Sequence, residues 1–512
     1  MILTGVIELN LGMTLARNAR QIPEKKAVIF GEKSYTYKQL NQKVNQLANG
    51  LVASQIKKGE KIAILMKNSD QFVIVFYAIM KVGAITVPIN FRLATAEVRY
   101  ILEGSDASVL FFDEPYTSLV SQVTENNKNI KLQVCAGNKI EKNQLTMNAI
   151  SNDNVSEPFV EVLESDVAEI LYTSGTTGNP KGALFDHHRI LYVAFTSAIM
   201  MKMGPEDNLL HVAPLFHSAQ LNLFMITGTL LGSTQVIQQD FHPVHVLQAM
   251  EQHKITLFFA VPTMYNFLLQ VPNYEKYDLS SVKRCGYGAA PMPTALLQQV
   301  MKLFRHEQFF NMCGLTEAGP GGVLLLPDEH KTKMGAGGKA MLCTEVRVVN
   351  ERGEDVAPFE TGEFIIKSEM VMKEYYKNPE ETRQTLRDGW LYTGDLAIVD
   401  EDGYITLVDR KKDMIISGGE NIYSTEVEQA LYQHPDILEA AVIGLPDEIW
   451  CEKVVAIVVG KKGRNLDVEA LKLFCCERLA SYKVPTEIIV ENAIPRNASG
   501  KILKYRLREA LS

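Results

Sequence analysis

Apolar runs of strand length alternate with helical windows along most of this chain, and that alternation confines it to layered α/β folds with mostly parallel sheets. KIAILM at 61–66 has the length of a buried strand, SDQFVIVFYAIMKVG has the length of a helix, and AITVPIN returns to strand. The unit recurs: HPVHVLQAMEQHK places Pro243 where a first helical turn tolerates it, and ITLFFAVP follows as a second buried strand. A chain of 512 residues is long enough for two or three domains. The clearest boundary lies near residue 410, where EDGYITLVD reads as a hairpin closing a β-rich segment and DRKKDMIISGGENIY turns charged and then glycine-rich. We therefore expect a large N-terminal domain at 1–410, of layered sheets and helices with a β-rich subdomain, and a small α/β domain at 411–512. Within the small domain, Thr425 with Glu428 predicts a capping box at a helix start. Val468, Leu471, Cys475 and Leu479 give another helix its apolar face.

Charge and composition narrow the function. With 52 Lys+Arg against 60 Asp+Glu, a net charge of −8 argues against a nucleic-acid partner, which would call for a basic stripe. Hydrophobic residues at 46% exclude a disordered chain. The seven cysteines show no metal-binding spacing, and adjacent Cys475 and Cys476 make a poor disulfide, so reduced thiols and a cytoplasmic setting are expected. The first residues lack a basic segment followed by a long apolar core, so no signal peptide is expected. Phe72–Met80 is too short to span a bilayer. Asn208–Gln239 carries no Asp, Glu, Lys or Arg, but Pro214, His217, Gln220 and Asn222 interrupt it, and it reads as a buried strand, loop and helix. No transmembrane segment is expected; peripheral membrane contact and a homodimer stay open.

The strongest local signal is YTSGTTGNPKG, Tyr172–Gly182, directly after the strand-like VAEIL. Its glycines let backbone N–H groups turn toward an anion, Thr173, Ser174, Thr176 and Thr177 add hydroxyl donors, and Lys181 adds charge. A Walker A loop would need glycine immediately before the lysine, and Pro180 stands there instead. Elsewhere, the Asp395 carboxylate in YTGD is suited to accepting two hydrogen bonds from a ribose diol.

That segment resembles the signature of the adenylate-forming (AMP-binding) enzymes, which include acyl-CoA synthetases, firefly luciferase and peptide-synthetase adenylation domains. YGAAPMP, NMCGLTE, TGE, YTGD, DRKKDMIISGGENIY and PRNASGK follow in the family's order, and the whole looks most similar to bacterial fatty-acyl-CoA ligases. The resemblance implies a mobile small domain and the use of ATP, Mg²⁺ and coenzyme A. By it, Thr173, Ser174, Gly175, Thr176, Thr177, Gly178 and Lys181 hold the nucleotide phosphates, with Thr177 and Glu317 on the metal. Gly288, Ala289 and Ala290 lie against the adenine with Cys313 near it, Asn311 and Met312 also bind the nucleotide, Asp395 contacts the ribose, and Arg410 contacts ribose or phosphate. Cys313 stands where the family commonly has a tyrosine, so an adenine-stacking ring is missing. His217, Ala219, Tyr287 and Gly314 line the acyl pocket, with Ala219 leaving room for a flexible chain. Gly418, Gly419, Glu420 and Trp450 face CoA. Lys501, Thr316, Glu317 and Lys412 carry catalysis, Lys501 by bridging the carboxylate and the α-phosphate and Lys412 as the hinge.

The expected activity is ATP-dependent conversion of a carboxylic acid, a medium- or long-chain fatty acid, to an acyl-adenylate and then an acyl-CoA. An aryl-acid CoA ligase and an enzyme loading a carrier protein share every motif. A silent nucleotide-binding protein is the non-enzyme alternative, disfavoured because Lys181, Glu317, Asp395, Arg410 and Lys501 are all present.

Overall fold

Two large, mostly parallel sheets carry about the first two thirds of the chain, as the alternation predicts. The computed structural model describes residues 9–173, 180–496 and 502–511. In the eight-stranded sheet, Lys61–Leu65 pairs in parallel with Ile85–Pro88 and Ala107–Phe112, and Ile85–Pro88 with Val167–Thr173. In the nine-stranded sheet, Thr234–Ile237, Asn208–His211, Leu257–Ala260, Arg284–Gly288 and Phe309–Gly314 run side by side in parallel. Side-chain alternation assigns each face to a different core. Ile62 and Ile64 join the central helices, while Ala63 and Leu65 face the opposite side. Leu257 and Phe259 likewise separate from Phe258 and Ala260. Both sheets are thus covered on both sides, which is why their strands read as continuous apolar runs.

Helix Asp70–Lys81 shows the local logic. Ser69 caps it by accepting from the Phe72 amide at 3.1 Å, and Asp70 lies in the first turn, where the helix dipole favours an anion. Every residue but Gln71 is buried, so the helix is apolar nearly all round and belongs between layers. Lys81 ends it, its ammonium donating to Asn41 at 2.6 Å, Asn45 at 2.7 Å and Glu157 at 2.5 Å. Among the described residues no helix is long and apolar enough to cross a membrane.

The Asn208–Gln239 segment differs from its expected strand, loop and helix in one respect. After the strand Asn208–His211, Ala219–Ile226 winds as a π-helix before the α-helix Thr227–Leu231 and the strand Thr234–Ile237. The wider π turn carries Gln220 and Asn222 into the core. There Gln220 meets His211 at 2.5 Å and Asn222 donates to Glu169 at 3.0 Å.

A third, five-stranded sheet is wholly antiparallel and forms the β-rich part, with Thr344–Val349, Thr361–Ser368, Trp390–Val399 and Ile405–Arg410 as its main strands. The short strand Glu374–Tyr375 leaves this region and pairs with Lys181–Asp186 at the edge of the eight-stranded sheet. The smaller C-terminal part holds a fourth sheet, led by the Ile437–Asp447 and Cys451–Gly460 hairpin, with helices Ser424–Tyr432, Val468–Cys476 and Lys504–Leu511. Leu471 and Cys475 are buried as expected, while Leu479 falls beyond the helix end. The capping box is corrected: the helix starts at Ser424, Thr425 donates to the Val408 carbonyl, and Glu428 accepts from the Val442 amide at 2.9 Å and pairs with Lys504 at 2.8 Å. Tertiary partners took both ends of the local motif.

Glu169 is fully buried, and burial pushes its carboxyl up to about 8, with the Asn222 bond opposing. The unfolded chain releases that proton near pH ~4.3 while the folded chain keeps it, so stability falls as pH rises between those values. Glu169→Gln should therefore raise the melting temperature more at pH 8 than at pH 5, measured by differential scanning fluorimetry; an equal shift at both pH values would show that Glu169 is ionised in the fold.

Candidate active site

Three distant stretches converge on Glu317. Thr173 ends the strand Val167–Thr173, Lys181 opens the strand Lys181–Asp186, and the two are register partners. Ser174, Gly175, Thr176, Thr177 and Gly178 between them lie outside the described residues, as does Lys501. Glu317 stands in the 3₁₀ turn Thr316–Ala318, directly after the strand Phe309–Gly314. Its Oε1 accepts from the Thr173 hydroxyl at 3.1 Å and from the Tyr375 hydroxyl at 2.9 Å. Lys181 forms an ion pair with Glu381 of the helix Pro379–Thr385, and its ammonium lies 5.5 Å from the Tyr375 ring centre. Sequence reasoning missed Tyr375 and Glu381. Both lie in the run EYYKNPEETRQTLRDGWLYTGD, which served only to support a resemblance.

The Thr316 hydroxyl lies 3.3 Å from that of Ser218, which neighbours the expected acyl-pocket residues His217 and Ala219. Next to Ser218, the half-buried His217 lies against Phe216, with ring centres 4.4 Å apart. Burial first, then the Arg92 charge, lowers its pKa to about 4, so the imidazole is neutral at physiological pH. Its Nε2 is buried without a hydrogen-bond partner. Ala219 opens the π-helix and packs on a cluster holding Met201, Met203, Phe224, Phe259 and Met312.

The Gly288 and Gly314 backbones leave no room for a side chain. A Cβ on Gly288 would lie 2.2 Å from the Met312 carbonyl oxygen, and one on Gly314 would lie 2.2 Å from that of Gly321. Ala289 is exposed with φ 65°, and Ala290 is exposed beside it. Asn311 donates to the Ala336 carbonyl at 2.8 Å. One expected placement needs correction. Tyr287 lies on the strand face that packs under the outer helices, with its hydroxyl 3.0 Å from His330, so its side chain is committed to core and does not line an acyl pocket. Met312 turns its side chain into the methionine-rich cluster, which leaves only its backbone available to a nucleotide.

Asp395 and Arg410 face each other across paired strands, Oδ1 to Nε at 3.1 Å. Asp395 also lies near enough to Cys313 to act on its thiol. Lys412 follows in the turn after the strand Ile405–Arg410. Burial lowers its pKa against the pull of Asp413, and Arg410, Arg508 and Lys181 lower it further, so the turn lies within the field of all four charged groups. On the small domain, the Gly418 amide donates to the Trp450 carbonyl at 2.8 Å, and a Cβ on Gly418 would come within 2.8 Å of the Trp450 ring. Gly418 and Gly419 have φ of 61° and 86°, and Glu420 and Trp450 are exposed.

The donor set suits a magnesium ion. Among the described residues no group of three His, Cys, Asp or Glu converges, and magnesium commonly takes one or two carboxylates with phosphate oxygens and water. Glu317 fits, because both hydroxyl donors use Oε1 and Oε2 makes no hydrogen bond to a described residue.

The description AMP-binding enzyme matches residues 15–376, and AMP-binding enzyme C-terminal domain matches 426–501. The chain is 38% identical to a feruloyl-CoA synthase of an Amycolatopsis species, covering 97% of this chain and 98% of that protein. It is 36% identical to the long-chain-fatty-acid–CoA ligase FadD13 of Mycobacterium tuberculosis, covering 98% and 99%. Its fold superposes on o-succinylbenzoate CoA synthetase of Bacillus subtilis, solved with an acyl-adenylate intermediate, with a TM-score of 0.88 at 30% identity and coverage of 98% and 99%.

Burial, aided by Asp395, pushes the Cys313 thiol up to about 12, whereas Cys343, Cys451 and Cys476 are exposed. Only the thiolate alkylates, so iodoacetamide at pH 8 should label the three exposed cysteines and spare Cys313, read by peptide mass spectrometry. Labelling of Cys313 at the rate of the exposed thiols would overturn this environment.

Proposed function

The chain belongs to the AMP-binding enzyme family, and from that premise we propose that the acid it activates is a medium- or long-chain fatty acid. The protein is an ATP-dependent acid–CoA ligase. A carboxylate oxygen attacks the α-phosphorus of ATP and pyrophosphate leaves; the CoA sulfur then attacks the acyl carbonyl and AMP leaves. Magnesium, when bound, supplies positive charge to the phosphate oxygens.

The residue roles belong to the same proposal. Thr173 and Lys181 hold phosphate oxygens, and Glu317 is the carboxylate that would hold the metal. Asp395 accepts from the ribose hydroxyls, with Arg410 beside it. Lys501 places its ammonium between carboxylate and α-phosphate, so charge is neutralised as the new bond forms. The body of the protein ends at 410, and Lys412 is the hinge that exchanges Lys501 for the Gly418–Gly419 face at the second step. The seven thiols are free, which supports a cytoplasmic setting.

The observation that carries the fatty-acid reading is Ala219. A methyl group on a cluster of methionines and phenylalanines leaves an apolar, adaptable wall for a flexible chain. The 38% identity to a feruloyl-CoA synthase favours an aryl acid as the second reading. Pyrophosphate release with CoA present, measured over straight-chain acids from C2 upward and over benzoates and hydroxycinnamates, separates them. We expect the highest kcat/KM among acids of eight carbons or more, on the order of one decade above the aryl acids, since each buried methylene adds about 0.8 kcal/mol. A hydroxycinnamate that outperforms every fatty acid would contradict the proposal.

Lys501→Ala tests the division of labour. Losing one preorganised donor should slow adenylate formation by roughly 10²–10³, while CoA transfer from a supplied acyl-adenylate keeps its rate. Single-turnover quench of each half-reaction measures this, and equal losses in both would remove Lys501 from the first step alone.

A further inference from the structure

The two oxygens of Glu317 are in different circumstances. Oε1 receives both hydroxyl donors, Thr173 at 3.1 Å and Tyr375 at 2.9 Å. A carboxylate held by two donors on one oxygen cannot rotate without breaking them, so the direction of Oε2 is set by where those donors stand.

We propose that Tyr375 is a positioning residue for the adenylation step: its hydroxyl, with that of Thr173, locks the Glu317 carboxylate so that Oε2 points as a metal ligand. The proposal rests on the reading that Glu317 holds magnesium. Tyr375 is well placed to act as a fixed post. Its backbone pairs with Ala183, two residues after Lys181, and its amide donates to Thr382 at 3.0 Å. Its side chain is buried, which fixes the ring and the direction in which the hydroxyl donates. The next residue but two toward the N-terminus, Met372, donates its amide to the Glu317 carbonyl at 2.8 Å, so this segment holds the glutamate by backbone as well as by side chain. The same ring lies beside the Lys181 ammonium at 5.5 Å. One side chain therefore spaces the anionic ligand from the phosphate-binding lysine.

Tyr375→Phe keeps the ring, its packing and its contact with Lys181, and removes only the O–H. The experiment titrates Mn²⁺ into the full-length protein with α,β-methylene-ATP, counting free Mn²⁺ by electron paramagnetic resonance, for wild type, Tyr375→Phe and Glu317→Gln. Nucleotide binding in EDTA and the melting temperature are measured alongside. The expected result is Mn²⁺ affinity about tenfold weaker in Tyr375→Phe, within the range for removing an outer partner of a metal ligand, with metal-free nucleotide affinity unchanged. Adenylation should recover when Mg²⁺ is raised by the same factor. Weakened Mn²⁺ binding in Glu317→Gln with wild-type binding in Tyr375→Phe would overturn the inference and leave the glutamate reading standing. Wild-type Mn²⁺ binding in Glu317→Gln would overturn both. Parallel loss of metal binding, metal-free nucleotide binding and melting temperature in Tyr375→Phe would show a merely structural tyrosine and also overturn the inference.

Discussion

The carboxylate of Glu317, held by the hydroxyls of Thr173 and Tyr375, is the interaction on which the site depends. It ties together the end of a strand in one large sheet, a turn after a strand in the other, and a two-residue strand arriving from the antiparallel region. Each tether is short and rigid. The strand Glu374–Tyr375 matters because it crosses from the third sheet to the edge of the eight-stranded one, which brings Tyr375 and Glu381 to Lys181. Three sheets have to be in register before the charged groups meet, so this cluster is a product of the whole N-terminal body.

The joint to the small domain is built on a different principle. Asp409 is buried and accepts from both the amide and the hydroxyl of Ser424 at 2.6 Å, and Thr425 donates to the Val408 carbonyl. These are polar contacts across a turn, with Lys412 between them. Polar contacts exchange for water at modest net cost, about 0.5–1.5 kcal/mol for a typical hydrogen bond and more where a charge takes part. A joint held by such contacts yields more readily than an apolar interface would.

Much of the fold was legible because it follows two periods. Strand-length apolar runs, Pro243 at a helix start and the amphipathic Val468–Cys476 helix all obey them. The π-helix was not legible, since its wider turn fits neither the period of 3.6 nor that of 2, and Gln220 and Asn222 looked like interruptions when they are buried hydrogen-bond partners. Thr425 and Glu428 matched a local motif whose two ends were claimed by distant groups. Tyr287 could have been placed from strand alternation, which sets it with Cys285 on the helix-covered face and turns Gly286 the other way. In the site, glycine-rich loops and isolated carboxylates announce themselves in sequence. A tyrosine 58 residues from its carboxylate partner does not, because only the strand pairing of Tyr375 with Ala183 brings them together.

The central claim is that one site performs two separable chemistries through an acyl-adenylate. Exchange of labelled pyrophosphate into ATP without CoA tests it most directly, because exchange requires that the first step run forward and back before any thiol arrives. Exchange should depend on the carboxylic acid and on Mg²⁺ and continue with no CoA present. Acid-independent exchange, or exchange that appears only when CoA is added, would contradict it.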